Sequence, residues 1–304
     1  MSRIAYVNGR YVPHRLAAVH IEDRGYQFSD GVYEVCLFIG GRCLDLAPHL
    51  DRLSRSLAAL RIAMPMSRAA LTSVMHGLMR RNRIATGTIY LQVTRGVAPR
   101  DHAIPGDPLQ PGIVMTARRF DIESHRRRQE TGITVVTLPD PRWKRCDIKS
   151  VSLLGNVLAR DAAAKAGAAE AWMVDEAGRV TEGASSTAWI VDREGRLLTR
   201  SLGPEILPGI TRAVILSLAA EQGIEIVEMP FSAAQARAAR EAFTASTTRF
   251  VMSVVAIDGE PVGDGRPGPL SRALIARHWA HVRAETGYVP PATSVSHRAS
   301  SPAQ

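Results

Sequence analysis

The sequence predicts an α+β fold in two domains, a smaller N-terminal α/β domain and a larger C-terminal mixed α/β domain with a cleft between them. Paired strands dominate the beginning of the chain, and strands alternate with helices in the second half. A polar stretch without apolar periodicity separates the two parts. We therefore expect domains at 1–120 and 132–285, a linker at 121–131, and a disordered tail at 286–304, where the Pro, Ser, Ala and Thr residues bury too little apolar area to order the chain.

The N-terminal half is predicted to form two hairpins, two helices and two further strands. One hairpin is predicted at 4–12, where Asn8-Gly9 is the dipeptide typical of a type I′ turn, and another at 35–46. Leucines at helical spacing predict a first helix that Pro65 ends, and a serine cap predicts a second. Strands rich in β-branched residues follow. These helices and strands are predicted at 48–62, 67–82, 88–94 and 112–117.

The second half is predicted to contain six strands and three longer helices. Their alternation is the pattern of an α+β domain, and no internal repeat interrupts it. The strands are predicted at 134–138, 170–174, 187–191, 225–228, 243–245 and 250–257, and the helices at 152–166, 208–222 and 269–283.

The composition is that of an ordinary globular protein. The chain has 304 residues, of which 45% are hydrophobic and 22% charged, and it is long enough to bury a core without disulfides. No apolar run reaches the roughly 20 residues that cross a bilayer. The first ten residues lack the basic and apolar pattern of a secretory signal. We expect a soluble, cytoplasmic protein without a membrane partner.

The charged residues and cysteines exclude several classes of site. The net charge of +9 would suit nucleic acid, but the basic residues are spread along the chain without interleaved aromatic side chains, so we expect no nucleic-acid partner. A non-catalytic basic binding protein remains a remote alternative. The three cysteines have no metal-ligand spacing and fit a reducing compartment, so we expect no metal. Only three lysines occur, and Schiff-base chemistry must use one of them: Lys144, Lys149 or Lys165.

Lys149 lies in a short segment between strand-like residues and an apolar helix. An amine that forms a Schiff base needs a pKa lowered by burial or by a neighbouring cation, and Arg145 is near enough in sequence to contribute. A salt-bridged surface lysine would have the same local sequence. The residues alone therefore leave both interpretations open.

Other segments have the residue types of an anion site. The stretch 203–212 places Pro and Gly before a helix, whose first N–H groups can hold a phosphate, and hydroxyls at 245–248 could donate to the same anion. Glu182 lies in a turn of small residues that permits close contact with a ligand. Arg100 and His102 share one face of an extended segment and could bind a carboxylate. Each pattern also fits an ordinary cap, turn or surface loop.

Taken in order, these segments resemble the fold type IV aminotransferases, which use pyridoxal phosphate, and within them the D-amino-acid aminotransferase subfamily. The resemblance extends from Tyr6 to about Arg277. The ordered set of motifs is far more specific than any one of them. The matching motifs are Glu22 to Phe28, Asp30 to Glu34, His49 to Leu53, Thr94 to Gly96, Arg145 to Ser150 and Leu207 to Arg212.

The resemblance implies a role for each matching position in the cofactor site. Lys149 would hold pyridoxal phosphate as a Schiff base and carry the proton between the substrate and the cofactor. Glu182 would pair with the pyridine nitrogen and keep it protonated. The cofactor phosphate would be bound by Arg52, by the backbone of Ile210 and Thr211, and by Thr247 or Thr248.

The resemblance also implies the substrates and the assembly. Tyr33, Arg100 and His102 would bind the substrate carboxylate, with Arg100 and His102 coming from the partner subunit of a homodimer. The expected reaction is transamination between a D-amino acid such as D-alanine and a 2-oxo acid such as 2-oxoglutarate or pyruvate. A branched-chain L-aminotransferase or an aminodeoxychorismate lyase of the same fold remains the alternative.

Two positions depart from the family pattern. Arg249 follows the phosphate-binding hydroxyls, where a small polar residue is expected, and Ala184 replaces a serine after the Glu-Gly step. Both changes are expected to alter contacts behind the cofactor site.

Overall fold

The structure, a computed structural model, describes residues 3–289. Within this range the fold is α+β, as the sequence predicts, and its strands form two sheets. The strands are β1 Ile4–Val7, β2 Arg10–Pro13, β3 Gly31–Ile39, β4 Arg42–Cys43, β5 Gly87–Thr94, β6 Gly112–Arg119, β7 Ile133–Pro139, β8 Glu170–Val174, β9 Val180–Gly183, β10 Thr187–Val191, β11 Leu197–Thr199, β12 Ile226–Glu228, β13 Glu241–Ser246, β14 Phe250–Ile257 and β15 Glu260–Pro261. The helices are α1 Arg24–Phe28, α2 Leu46–Ala59, α3 Arg68–Arg81, α4 Ile122–Thr131, α5 Leu154–Lys165, α6 Ile210–Ala220, α7 Ala233–Arg237 and α8 Pro269–Thr286.

The first sheet is antiparallel, with strand order β2-β1-β6-β5-β3-β4. Asn8 and Gly9 at its first turn both have positive φ, 44° and 90°, as a type I′ turn requires. Helices α2 and α3 bury an apolar face against the sheet, with Leu53, Leu57 and Met75 at the centre of this core. One end of β3 and one face of α2 border a cavity between this sheet and the second one.

The second sheet is mixed, with strand order β12-β11-β10-β13-β14-β7-β8-β9, and β15 pairs with β14 outside this path. The strands β14, β7 and β8 are parallel neighbours, whereas β10, β13 and β14 are antiparallel. Trp172 and Trp189 are fully buried on the sheet, and Trp189 stacks on Phe243. The end of β9, the turn after β13 and the start of α6 line a cavity between the two sheets.

Two segments differ from the sequence prediction. The predicted linker 121–131 is the helix α4, capped by Asp121, whose side chain accepts from the Ser124 N–H. The helix was missed because the residues it buries, Ile122, His125 and Gln129, are mostly polar. At the other end, α8 continues to Thr286, and Tyr288 packs against Trp279. The predicted tail 286–304 therefore begins in ordered chain, and its residues 290–304 lie outside the described range. The division into two domains stays a prediction.

A small apolar core joins the two sheets. Leu37, Ile39 and Leu44 come from the first sheet and its last hairpin, and they pack with Phe250 and Val282. Phe250 begins β14 with a φ of 53°, a conformation that side chains rarely adopt. Its ring is surrounded by aromatic partners, which compensate for this strain: Phe120, His125, His278 and Trp279.

The buried histidines of this core make the fold sensitive to acid. Burial lowers the pKa of both His125 and His278 to about 4, helped by Arg249 and Arg128 near His125 and by His281 near His278. Both rings stay neutral in the folded state at pH values where the unfolded chain takes up protons. Their contribution to the free energy of unfolding is complete above the ordinary histidine pKa, and it is lost as the pH falls from about 6.5 towards 4.

We therefore expect the free energy of unfolding in urea to fall between pH 7 and pH 5, by roughly 1 to 2 kcal/mol for each histidine. The His278→Leu variant should show a smaller fall than the wild type. His14→Asn, which changes an exposed histidine, should show the wild-type fall. Equal pH dependence in the wild type and His278→Leu would contradict the assignment.

Candidate active site

A cavity of about 180 Å³ lies between the two sheets. Eight of the residues predicted for the site line it, which places side chains from both halves of the chain around one space. Arg100 and His102 are absent from this lining. The eight residues are Tyr33, Arg52, Lys149, Glu182, Ile210, Thr211, Thr247 and Thr248.

Lys149 is half-buried on the segment between β7 and α5. Its backbone is fixed from the first sheet, since the Tyr33 N–H donates to the Lys149 carbonyl at 2.9 Å and the Lys149 N–H donates to Ser56 Oγ at 3.2 Å. Lys149 Nζ lies 4.1 Å from the centre of the Tyr33 ring. Arg145, the cation that the sequence suggested as a neighbour, instead pairs with Asp147 at the surface. The amine therefore faces the cavity beside an aromatic ring.

Glu182, near the end of β9, is held by a buried arginine that the sequence analysis did not identify. Arg142 forms an ion pair with Glu182 and a second one, of 2.7 Å, with Asp140. The Leu207 N–H also donates to Glu182 Oε2, at 3.2 Å. Burial raises the pKa of Glu182, although Arg142 and Lys149 act in the opposite direction. A positively charged ring nitrogen beside this carboxyl would therefore offset its desolvation.

Arg52, on α2, is positioned by Glu34, on β3. The guanidinium forms a fork with the carboxylate, with Nε–Oε1 and Nη2–Oε2 distances of 2.7 and 2.9 Å, and its Nη1 donates to the Pro208 carbonyl at 3.1 Å. His49 Nδ1 lies 2.8 Å from the same carboxylate. Burial alone would raise the pKa of Glu34, but Arg52 and His49 outweigh it and lower the pKa to about 2. Arg52 is thus fixed beside the start of α6.

Three kinds of anion donor meet at this end of the cavity. Helix α6 begins at Ile210, and its N-cap residue is Gly209, which has no side chain to accept from the helix. The first N–H groups of α6 are therefore free of a side-chain cap and face the cavity. The hydroxyls of Thr247 and Thr248 lie in the turn between β13 and β14, and Arg52 adds a guanidinium. This donor set fits a phosphate. With Lys149 and Glu182 on the same cavity, the residues fit pyridoxal phosphate.

Arg100 and His102 lie outside the cavity, on the exposed segment after β5. The Arg100 guanidinium lies 5.3 Å from the centre of the Phe28 ring, and His102 lines a separate cleft together with Trp143. One chain therefore does not bring these two residues to the cavity that Tyr33 lines. Their supply by a partner subunit stays a prediction.

Of the two departures from the family pattern, Ala184 is part of the cavity lining and Arg249 is not. Arg249 Nη2 donates to the Ala169 carbonyl at 2.8 Å, and its Nε lies 3.4 Å from the fully buried carboxylate of Glu170. Burial lowers the pKa of Arg249. Ala184 lines the cavity, and its carbonyl accepts from Asn156 Nδ2 at 2.9 Å. The contacts of Arg249 therefore hold the start of β8.

Among residues 3–289, no group of three or more His, Cys, Asp and Glu side chains could hold a metal ion. No helix in the same range is both long and apolar enough to span a membrane.

Comparisons with known proteins identify the family of the chain. The family model for class IV aminotransferases matches residues 31–257. The chain is 42% identical to a D-alanine aminotransferase of Listeria monocytogenes over 88% of this chain and 92% of the relative. It is 41% identical to one of Bacillus licheniformis over 87% and 92%.

Solved structures show the same fold at lower identity. The branched-chain amino acid aminotransferase of Escherichia coli superposes with a TM-score of 0.82 at 23% identity, covering 96% of this chain and 97% of that one. The enzyme of Thermoproteus uzoniensis, solved with norvaline, gives 0.80 at 24% identity, covering 94% and 96%. The family match and the relatives above 40% identity decide the family: the chain belongs to the class IV aminotransferases.

Proposed function

We propose that the chain transfers an amino group between a D-amino acid of the D-alanine type and a 2-oxo acid, with pyridoxal phosphate as cofactor. This proposal depends on one observation: the Lys149 amine, the buried Glu182 carboxyl and the anion-binding start of α6 all line the same cavity. The D-alanine aminotransferases to which the chain is similar support the substrate class.

Each group of the cavity has a distinct task in this proposal. The bound cofactor supplies a protonated ring that spreads the electron pair left on the substrate α-carbon. Lys149 Nζ attaches the cofactor and moves the proton to and from the α-carbon from one face. Glu182 keeps the ring nitrogen protonated, and Arg142 fixes the direction of its carboxyl. Arg52 and Thr211 hold the phosphate, with Ile210, Thr247 and Thr248.

We further propose a homodimer in which the partner subunit supplies Arg100 and His102 to the substrate carboxylate beside Tyr33. Both residues lie away from the cavity of their own chain. Helix α5 supports a second copy as the partner, because Leu154, Val157 and Leu158 are all more than half exposed on it. An apolar surface of this kind is typical of a subunit interface.

We also propose a cytoplasmic location. All three cysteines, Cys36, Cys43 and Cys146, are free thiols. Free thiols are the normal state of cysteine in a reducing compartment.

The choice of donor tests the proposed function. We expect purified protein to transfer the amino group of D-alanine to 2-oxoglutarate with a kcat/KM on the order of a hundredfold above that for L-leucine. Pyruvate release measures the removal of the amino group from D-alanine, and glutamate formation measures its complete transfer to 2-oxoglutarate. The preparation should be yellow and should be bleached by borohydride. A preference for L-leucine would transfer the assignment to the branched-chain enzymes, and a colourless protein that shifts nucleic acid would indicate a basic binding protein.

A further inference from the structure

Arg24, the first residue of α1, holds the backbone of the segment that carries Arg100 and His102. The residue is only 3% exposed. Its Nη1 donates to the carbonyls of Asp101 and Ala103 at 2.6 and 3.3 Å, and its Nη2 donates to the carbonyl of His102 at 3.5 Å. One guanidinium therefore binds three consecutive carbonyls of a segment that belongs to no helix or strand.

Asp30 fixes the direction of this guanidinium. Its Oδ2 accepts from Arg24 Nε at 2.9 Å and from Arg95 Nε at 2.7 Å, and Arg95 Nη2 donates to Oδ1 at 2.9 Å. Burial alone would raise the pKa of Asp30, but the two arginines outweigh it and lower the pKa. Arg24 is thus paired with a charged carboxylate, and the remaining guanidinium N–H groups point to the segment.

Phe28, one helical turn after Arg24, holds the side chains of the same segment. The Arg24 guanidinium lies 4.9 Å from the centre of the Phe28 ring, and the Arg100 guanidinium lies 5.3 Å from it. The His102 ring lies 5.2 Å from the Phe28 ring. Main chain and side chains of the segment are therefore both held by α1.

We propose that Arg24 is a positioning residue for substrate binding: it orders the segment 100–103 so that Arg100 and His102 are presented in the geometry that a carboxylate needs. This inference rests on the proposed function, in which those two residues bind the substrate carboxylate. An exposed segment ordered before binding loses less conformational entropy when the substrate arrives. Only arginine has the planar set of donors that binds three carbonyls and an aspartate at once.

The Arg24→Lys variant tests the proposal, since lysine keeps the charge beside Asp30 but not the fork. We expect the KM for D-alanine and the KM for 2-oxoglutarate each to rise about tenfold, with a smaller change in kcat. The cofactor absorbance should stay at its wild-type value, and the melting temperature should fall by no more than about 5 °C, which shows that the variant is folded. Arg100→Ala should give the same pattern.

Arg200→Lys is the matched control. Arg200 is also a buried arginine, and its guanidinium contacts Asp175 and the Val180 carbonyl, away from the segment 100–103. We expect wild-type KM values from it.

The outcomes separate this inference from the proposed function. If Arg24→Lys leaves both KM values unchanged while Arg100→Ala raises them, the role of Arg24 is wrong and the proposed function stands. If the wild type does not act on D-alanine, the proposed function fails and this inference fails with it. If Arg24→Lys does not fold, Arg24→Gln is measured with the same expectation, and unchanged KM values there overturn the role of Arg24.

Discussion

The Lys149→Ala variant is expected to lose the transamination of D-alanine by about 10⁴-fold or more. Among residues 3–289, Lys149 is the only lysine that lines the cavity. No other side chain there can replace its amine, because arginine does not form a Schiff base. The variant should also lose the visible absorbance of cofactor attached to the protein. Steady-state assays with D-alanine and an absorbance spectrum of the purified variant measure the two effects.

Lys144→Ala is the control for this experiment. Lys144 lies five residues before Lys149 on the same segment, but it is exposed. It should keep wild-type turnover and colour. A Lys149→Ala protein that is yellow and active would remove Lys149 from the reaction, whatever the rest of the cavity does.

The second large effect is expected from Glu182→Gln, with kcat for D-alanine falling by about 10² to 10³. Glutamine keeps the size of the side chain but not the charge, so the ring nitrogen loses its anionic partner and Arg142 loses one of its two carboxylates. The protein should still bind the cofactor, because Lys149, Arg52 and the start of α6 are unchanged. Absorbance then separates loss of catalysis from loss of cofactor.

Glu176→Gln is the matched control, since Glu176 lies in the exposed turn between β8 and β9. Its kcat should equal that of the wild type. Unchanged kcat in Glu182→Gln would show that another group serves the ring nitrogen.

Short sequence patterns correctly predicted the elements whose backbone conformation depends on residues close to them in sequence. The turn at Asn8-Gly9 is confirmed because its left-handed φ values need these residue types. The helix predicted at 67–82 is confirmed within one residue at each end, and Ser67 accepts from the Ala70 N–H as predicted for a cap. In both cases the determining contacts span only a few residues of sequence.

Elements set by distant contacts were predicted less well. The helix predicted at 48–62 runs from Leu46 to Ala59, with Pro48 in its first turn, where no backbone donor is needed. It ends before Pro65, with Leu60 as its cap and a φ of 55° at Arg61, and the carbonyls of Leu60 and Arg61 accept from Arg95. No local pattern near Pro65 records that contact.

The same limit applies to the site. Residue types and family motifs predicted the groups that line the cavity, but gave no role to the residues that orient them. Arg142 lies 40 positions from Glu182, and Arg24 lies 78 positions from His102. Such pairs are set by the packing of separate elements, which a single sequence does not encode in any short pattern.

Phe250 adds a consequence for the enzyme as a whole. It is the residue at which the Thr247–Thr248 turn meets the apolar core between the sheets. If the turn holds the cofactor phosphate, as proposed, the bound anion would restrain the backbone that leads into Phe250 and, through it, the ring contacts of that core. We would then expect ligand occupancy and cohesion between the two halves of the chain to be thermodynamically linked, so that each strengthens the other.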